Sequence, residues 1–278
     1  MKMKGKFLFG FAILFVIGFL SACGTGGDNN DDSQNADGNG QKETLIIGTD
    51  AAFAPFEYLD KGEIVGFDVD FIDAVMTEAG YDYEIKNVGW DPLFPSVENG
   101  DVDFGLSAIS ITDDRMETYD FSVPYFESRL LIMVPEGSNI QSAEDLEGKL
   151  VGVQNGTTGQ TAVEKILGEN NENIKKYETT AVAIMAMQNG DVEAVVTDNT
   201  VAEEYVSNNP NEKFEVIEDP ENFAPEYYGL MFKKGSDLKA ELDEAINAVL
   251  DSGKYAEIYE EYFGYEPDVE ALKEAAQE

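Results

Sequence analysis

The sequence predicts an α/β protein that folds into two lobes, each built on a mostly parallel sheet flanked by helices. Apolar strand-like segments alternate with helical segments along the chain, and this order of elements gives parallel sheets with helices on both faces. The length of 278 residues fits two domains or lobes better than one core. A helix–turn–strand pattern also occurs twice, which indicates two lobes built on the same unit.

The composition excludes several classes of function. The chain has 18 Lys and Arg against 56 Asp and Glu, one Cys and no His, and its formal net charge is −38. A disulfide framework needs two thiols, and without His neither a Ser-His catalytic unit nor a His-ligated zinc site can form. Because this charge repels phosphate, we expect no nucleic-acid partner, and we expect no metal and no cofactor.

The first 23 residues predict export rather than a folded element. Three Lys residues precede an apolar run of 14 residues, from Phe7 to Leu20. This run is shorter than the ~18–20 residues that span a bilayer, and it fits the apolar region of a secretory signal peptide. The segment LSAC that ends at Cys23 resembles the lipobox of bacterial lipoproteins. A plain signal peptide with an incidental Cys is the alternative.

We therefore expect residues 1–22 to be a lipoprotein signal peptide and Cys23 to be lipidated, with palmitate among its acyl chains. Two or more acyl chains anchor a protein stably to a membrane. The expected location is the outer face of the cell membrane, in the arrangement of Gram-positive bacteria. Residues 24–43 contain no large apolar side chain, so residues 23–43 are predicted to be the lipidated Cys and a flexible tether.

Six elements are predicted in the first part of the folded region. Apolar residues at helical spacing mark residues 68–79 as a helix. Asn99-Gly100 is a left-handed helix stop, and Thr112 is placed to cap a short helix. The predicted elements are strand Thr44–Thr49, helix Asp68–Ala79, strand Tyr81–Val88, helix Leu93–Asn99, strand Val102–Leu106 and the short helix from Thr112 to Tyr119.

The second part of the folded region repeats this pattern. ENGDVDFGLSA from Glu98 and QNGDVEAVVTD from Gln188 both read as a helix end, an Asn-Gly stop and an apolar strand. The predicted elements here are strand Val151–Val153, helix Thr157–Leu167, helix Ala181–Gln188 and strand Val192–Thr197. Further along the chain come strand Tyr228–Phe232, the amphipathic helix Ser236–Ser252, helix Lys254–Phe263 and an acidic tail over residues 264–278.

Polar residues follow the two strands of the repeated pattern. Ser107 and Ser110 come after the first strand, and Thr197 and Asp198 end the second. Ligands of open α/β sheets bind beyond the carboxyl ends of the strands. A ligand held by both sets of residues would therefore lie in a cleft between the lobes.

The segment from Ser107 to Arg115 offers what a planar carboxylate needs. It combines small hydroxyls, open backbone N–H groups and a guanidinium just after a strand. The alternative is that Arg115 pairs with an acidic residue of its own helix, since Asp113, Asp114 and Glu117 are close in sequence.

Two further segments fit the two charged groups of an amino acid. Residues 152–159 form a strand, a Gly-rich turn and a helix start, and the open N–H groups of a helix start bind anions. No Lys follows Gly159, so a nucleotide phosphate loop is not predicted, and an ordinary capped helix is the alternative. Asp198 can pair with an ammonium or cap the next helix.

Aromatic residues accompany a carboxylate after the first strands. Asp50 and Phe53 follow the first strand, and Trp90, the only Trp, follows another. An aromatic face can hold a ligand side chain, and a cationic one best of all. The alternative for these aromatic residues is core packing, which is what we expect of Phe56.

Four motifs resemble the amino-acid-binding family of bacterial extracellular solute-binding proteins. They are GTDAAFAPFEY from Gly48, GFDVDFIDAV from Gly66, SAISITDDR ending at Arg115, and YDFSVPYFES after it. The resemblance extends over about Leu45 to Phe263. It implies a two-lobed periplasmic-binding-protein-like fold with two crossing hinge segments, near Tyr125–Leu130 and Asn222–Tyr227. The implied lobes are residues 44–128 with 224–264, and residues 129–223, followed by the acidic tail 265–278.

The resemblance also implies a function and a set of ligand-binding residues. Members of the family bind an amino acid in the cleft, close on it and deliver it to the permease of an ABC importer, which works with an ATPase subunit. Arg115 would bind the α-carboxylate, and Asp198 the α-ammonium. The other implied ligand-binding residues are Ser110 and the Ser107-Ala108 backbone beside Arg115, Thr157 and Thr158 from the second lobe, and Asp50, Phe53, Trp90 and Gln154 around the ligand side chain.

The ligand identity and the class of function have alternatives. Asp50 with Trp90 favours a basic side chain such as that of arginine, lysine or histidine. Glutamine-binding relatives can carry Lys where Gln154 stands, so glutamine is the alternative ligand. A dehydratase on the same scaffold would need an acid–base pair, and consecutive residues such as Asp113 and Asp114 do not face each other on a helix. A sensor would need a membrane-spanning segment and a signalling domain. We therefore expect a monomeric binding protein that is not an enzyme.

Overall fold

The computed structural model describes residues 44–277, so the predicted signal peptide, the lipidation at Cys23 and the tether lie outside the described residues. Within the described part of the chain, no helix combines the length and the apolar character that crossing a membrane requires. The described residues belong to one compact unit.

In the first part of the described chain, strands alternate with helices. Its elements are β1 Leu45–Thr49, β2 Ala52–Phe53, β3 Glu57–Asp60, β4 Glu63–Val65, α1 Phe67–Ala79, β5 Tyr83–Asn87, α2 Trp90–Asn99, β6 Phe104–Gly105, α3 Asp113–Thr118 and β7 Tyr119–Phe121. The short strands β2, β3 and β4 form a small antiparallel sheet of their own.

The middle of the chain repeats the alternation. Its elements are β8 Phe126–Ser128, β9 Leu130–Pro135, a 3-10 turn Ala143–Leu146, β10 Val151–Gln154, α4 Thr158–Leu167, β11 Ile174–Tyr177, α5 Thr180–Asn189, β12 Ala194–Asp198, α6 Asn199–Asn208, β13 Phe214–Glu218 and β14 Glu226–Tyr228. The chain then continues with β15 Met231–Lys233, α7 Leu238–Asp251, α8 Lys254–Phe263 and α9 Val269–Ala275.

The two large sheets share one topology. The first has the strand order β5-β1-β6-β15-β7, and the second has the order β11-β10-β12-β9-β13. In the first sheet only β15 runs against the other strands, and in the second only β9 does. Helices α1 and α7 share a core with one face of the first sheet, and α2 covers the other face. Helix α4 covers one face of the second sheet, and α5 and α6 cover the other.

The repeated sequence pattern builds the same local structure in both sheets. Gly100 ends α2 and Gly190 ends α5, each with a φ of 79°. The acidic residue directly before each following strand then accepts a hydrogen bond from a backbone N–H at the start of the neighbouring strand. Asp103 accepts a hydrogen bond from the Ile46 N–H at 2.6 Å, and Glu193 accepts one from the Leu150 N–H at 3.1 Å. The sequence echo therefore marks equivalent helix–strand units, as predicted.

Strands β8 and β14 connect the two sheets. They pair with each other, with Glu226 opposite Ser128 and Tyr228 opposite Phe126. The aromatic rings of Phe126 and Tyr228 are buried in the core of the first sheet, beside the fully buried Phe56. This confirms the core position expected of Phe56. The structure thus has the two predicted crossing segments, while the lobe boundaries at residues 128, 224 and 264 remain a prediction.

Two predicted elements differ from the structure. The strand predicted at Tyr228–Phe232 is divided, because the chain leaves β8 after Tyr228 and joins β6 and β7 from Met231 onward. Gly229 lies at the transition, where a Cβ atom would stand only 2.9 Å from Ile111 Cδ1. The acidic tail contains helix α9. Asp268 caps the start of this helix by accepting a hydrogen bond from the Ala271 N–H, and Leu272 of the helix is buried.

Candidate functional site

The predicted site residues meet at the carboxyl ends of strands from both sheets. Asp50 follows β1, and Ser107 and Ser110 follow β6 in the first sheet. Gln154 ends β10 and Asp198 ends β12 in the second. A small cavity of about 20 Å³ lies between the lobes and is lined by Asp50, Phe53, Glu57, Trp90, Ser107, Gln154 and Thr157. It holds about one water-sized sphere, so an amino-acid side chain enters only if the lobes move apart.

The lobes contact each other directly across this cleft. The Gln154 Nε2 donates to Asp50 Oδ2 at 3.3 Å, and the Asn155 Nδ2 lies 3.1 Å from both carboxylate oxygens of Asp91. Thr180 donates to Gln154 Oε1 at 3.0 Å and fixes its amide. Asp50 is therefore met by a neutral amide, and burial raises the pKa of this carboxyl.

Trp90 forms the aromatic wall of the cleft. Trp90 is only 8% exposed, its ring packs edge-on against Phe94, and the residue belongs to the core around α2 while also lining the cavity. The core-packing and cleft-wall interpretations therefore both describe this residue. Its Nε1–H is buried and has no hydrogen-bond acceptor among the described residues. Gly156 of the second lobe faces it so closely that a Cβ atom there would lie 3.3 Å from Nε1.

Arg115 reaches from α3 to the second lobe. Its Nη1 donates to the Ser110 carbonyl at 2.7 Å and its Nη2 to the Gly156 carbonyl at 3.3 Å, while its guanidinium carbon lies 5.4 Å from the Trp90 ring centroid. Among residues 44–277, no carboxylate lies within 4 Å of it, so the alternative pairing on its own helix is not observed. Burial lowers the pKa of Arg115 to about 10, and the charges of Glu226 and Asp198 oppose this shift.

Asp198 is buried at the point where the second sheet meets the crossing strands. Its carboxylate accepts hydrogen bonds from the Tyr228 hydroxyl and, at 3.2 Å, from the Ser128 hydroxyl. The side chain does not cap α6, which was the alternative role. Burial raises the pKa of Asp198 to about 7, and the neighbouring Glu226 charge acts in the same direction.

The structure brings one further carboxylate to this end of the cleft. Glu226 accepts a hydrogen bond from the Ser110 hydroxyl at 2.8 Å. The sequence motifs place Glu226 in a crossing segment but predict no role for it. The alternation of side chains along β14 could have indicated its position, because Glu226 and Tyr228 must lie on the same face of the strand.

Thr157 and Thr158 lie at the start of α4, where Thr157 both caps the helix and lines the cavity. The Thr157 hydroxyl caps the helix, accepting from the Gln160 N–H at 3.3 Å and donating to the Gln154 carbonyl at 2.8 Å. The capped-helix interpretation is therefore correct for this hydroxyl, although Thr157 also lines the cavity. Thr158 is the first residue of α4 and is half-buried.

The Ser107-Ala108 turn is held from behind by two buried acids. The Ser107 hydroxyl donates to Glu57 Oε1 at 2.6 Å and accepts from the Asp50 N–H at 3.1 Å. The Ala108 N–H donates to Asp68 Oδ2 at 3.0 Å, from a residue with a φ of 45°. The Ala108 N–H, which the family resemblance assigns to the ligand, is therefore already bound to Asp68.

Glu57 and Asp68 are buried in the interior of the first lobe, close enough for each to shift the pKa of the other. Tyr125 donates a second hydrogen bond to Asp68 Oδ2 at 3.0 Å. Glu57 Oε2 and Asp68 Oδ1 are buried and accept from no donor among the described residues. Ionised carboxylates only accept, so a hydrogen bond between these two would need one shared proton. Burial raises the pKa of both carboxyls, and the charge of Asp68 raises that of Glu57 further.

Comparison with known proteins agrees with this fold. The profile of the family described as bacterial extracellular solute-binding proteins, family 3, matches residues 45–265. The crystal structure of the arginine-, lysine-, histidine-binding protein ArtJ from Geobacillus stearothermophilus is 60% identical, with a TM-score of 0.82, over 83% of this chain and 100% of that one. The chain therefore belongs to family 3 of the bacterial extracellular solute-binding proteins.

Two curated relatives show the range of ligands named within the family. The "Probable histidine-binding protein" of Neisseria gonorrhoeae is 39% identical over 250 residues, which are 89% of this chain and 91% of that protein. The ABC transporter glutamine-binding protein GlnH of Bacillus subtilis is 29% identical over 282 residues, which are 95% and 99% of the two chains. The family and fold predicted from the sequence motifs are thus confirmed.

Proposed function

We propose that the protein is the substrate-binding component of an ABC importer and that its ligand is a basic L-amino acid, arginine, lysine or histidine. Arg115 binds the α-carboxylate with help from Ser110 and the start of α4 at Thr157 and Thr158. Asp198 binds the α-ammonium. The ligand side chain lies among Asp50, Phe53, Trp90 and Gln154, and the lobes close on the ligand.

The observation that carries the ligand class is the position of Asp50. Its carboxylate is buried at the cavity, beside the aromatic surfaces of Phe53 and Trp90. Among the described residues, no Lys or Arg lies within 4 Å of Asp50. A cationic side chain supplies both the missing charge and a partner for the aromatic rings. The ligands named for ArtJ are of this class.

Glutamine is the second candidate ligand, because the cleft also contains an amide contact to Asp50. Gln154 Nε2 donates to this carboxylate, so the amide of a bound glutamine could take the same position. The likeness to GlnH supports this alternative.

The remaining parts of the proposal concern the cellular setting. The protein is anchored by a lipid at Cys23 to the outer face of the membrane, after removal of residues 1–22. It works as a monomer, presents the closed form to a permease with its ATPase subunit, and catalyses no reaction. The acidic surface serves solubility outside the cell.

Calorimetric titration of the full chain in detergent tests the proposal. Copurified ligand is first removed by partial unfolding and refolding. Arginine, lysine, histidine, glutamine and glutamate are then titrated separately. Micromolar or tighter binding of the basic amino acids, without binding of glutamine, is the expected result. Tight glutamine binding alone would retain the transport function and overturn the ligand class, and no binding of any of the five would overturn both.

A further inference from the structure

We propose that Glu226 is a second carboxylate of the ammonium site, placed there by a crossing strand rather than by either lobe. The inference rests on the proposed function and extends it by one residue. Three observations carry it: the position of Glu226 between the lobes, the balance of charge in the cleft, and the hydrogen bonds that remain free there.

The position follows from strand geometry. Successive side chains of a strand point to opposite sides, so Glu226 and Tyr228 share one face of β14 while Tyr227 points away. Tyr228 on this face donates to Asp198 of the second lobe, and Glu226 accepts from Ser110 of the first lobe. Glu226 therefore lies beside Asp198, at the junction of the first lobe, the second lobe and the crossing strands.

Among the described residues, two acids face one guanidinium at this end of the cleft. Asp198 and Glu226 repel each other, and Arg115 is the positive charge that both of them face. The Arg115 guanidinium donates to two backbone carbonyls and makes no ion pair with either acid. The α-groups of an amino acid match this arrangement, because the carboxylate can pair with Arg115 while the ammonium lies between the two acids.

The free hydrogen-bonding groups also match a bound amino acid. An ammonium has three donors, and Asp198, Glu226 and the Ser110 oxygen offer three acceptors, since Ser110 gives its own proton to Glu226. Beside the position proposed for the ligand side chain, the buried Trp90 Nε1–H is a donor without an acceptor among the described residues. Unpaired buried groups of this kind indicate a missing partner.

A comparison of two ligands tests the contact directly. L-Arginine and 5-guanidinopentanoate differ only in the α-ammonium group. We expect E226Q to weaken binding of arginine at least tenfold and to leave the affinity for 5-guanidinopentanoate within a factor of two. The variant keeps the shape of the side chain and an acceptor for Ser110. The matched control is E127Q, which removes one charge from the exposed face of the partner strand β8 and should change neither affinity.

The other outcomes distinguish a binding role of Glu226 from a structural one. Unchanged arginine affinity in E226Q would overturn the contact, and an equal loss for both ligands would show that Glu226 only supports the structure. Thermal unfolding of the ligand-free variants identifies a folding defect, and E226D, which retains the charge, should then bind arginine better than E226Q. If the protein binds glutamine instead of arginine, 4-carbamoylbutanoate takes the place of the arginine analogue. Failure of all amino acids to bind would instead refute the proposed function.

Discussion

Two pairs of acidic residues lie near the cleft, and their surroundings differ. Glu57 and Asp68 form a pair inside the first lobe, while Asp198 and Glu226 form a pair between the lobes. The inner pair accepts hydrogen bonds from Ser107, the Ala108 N–H and Tyr125, and each carboxyl shifts the pKa of the other. The outer pair faces the Arg115 guanidinium and the cleft.

This difference separates the structural role of the inner carboxyl pair from the binding role proposed for the outer pair. One proton on the inner pair would leave it with a single charge, and donors of the protein already bind that pair. The outer pair retains positions that a ligand ammonium can fill. Burial alone therefore does not tell a structural acid from a binding one. The role depends on whether the donor that meets the carboxylate belongs to the protein or to a ligand. The following variants break one pair while leaving the other intact.

Loss of the outer pair should have the largest effect on binding. In D198A, the ligand ammonium and the Tyr228 and Ser128 hydroxyls lose their acceptor, and we expect arginine binding to weaken by about 3–5 kcal/mol. D198N keeps an acceptor for both hydroxyls but no charge, so it should lose most of the affinity while its unfolding temperature stays close to that of the wild type. Calorimetry and thermal unfolding measure the two effects. A loss below about 1 kcal/mol in D198A would contradict the role of this residue in binding.

Loss of the inner pair should act on stability instead. In E57A, the Ser107 hydroxyl and Asp68 lose a buried partner, and the free energy of unfolding should fall by about 2–4 kcal/mol. E57Q is the matched control, because its amide can donate to Asp68 while its carbonyl accepts from Ser107. Denaturant unfolding of both variants measures the difference. Equal destabilisation by E57A and E57Q would contradict a proton held between the two carboxyls.

The same pair gives the folded protein a specific pH dependence. The pKa of Glu57 is raised by burial and by Asp68, so between about pH 4.3, the ordinary Glu value, and the raised pKa the folded state holds a proton that the unfolded state has lost. Stability from this proton is present below that range and decreases as the pH rises through it. The slope is about 1.4 kcal/mol per pH unit for one proton. E57Q has no such proton, so its stability relative to the wild type should increase from pH 4.5 upward, and a constant difference would refute the assignment.

Asp50 distinguishes the two candidate ligands. D50N removes the buried carboxylate beside Trp90 and Phe53, and we expect arginine affinity to fall by about 1–3 kcal/mol. Glutamine affinity should change less, since an amide can still pair with an amide. D114N removes an exposed charge on α3 and serves as the control. Unchanged affinity for arginine and an unchanged dependence on salt would exclude the contact with Asp50.

The sequence predicts much of the fold because its signals are local. The Asn-Gly stops and the helical spacing mark α2 and α5, and the strand that follows each of them is found close to its predicted position. The short strands β2 to β4 have only two to four residues each, which is too few for a periodic signal. The helix α9 did carry a signal, since Asp268 stands three residues before a donor that it caps.

The candidate site is less completely predictable for a physical reason. The sequence motifs lead to Arg115, Asp198 and Asp50, which follow strands in recognisable segments. Glu57 and Asp68 carry no local sign of burial, because their environment is made by Ser107, Ala108 and Tyr125 from distant parts of the chain. Glu226 is recognised only when β14 is paired and its face is known. Side chains whose role depends on tertiary contacts therefore remain hidden in the sequence.

The smallest effect expected is at Gly156, where the second lobe contacts the Trp90 wall of the cleft. Its φ of 71° disfavours any side chain, and G156A should cost about 1–2 kcal/mol of stability. The added Cβ would also lie 3.3 Å from Trp90 Nε1, so closure of the lobes should become less favourable and arginine binding weaker. G190A has the same backbone strain, with a φ of 79°, and no atom within 4 Å of the added Cβ. Both variants should lose similar stability while only G156A loses affinity, because only Gly156 touches the opposite lobe. Equal affinities in calorimetry would mean that the ligand-bound lobes do not meet at this contact.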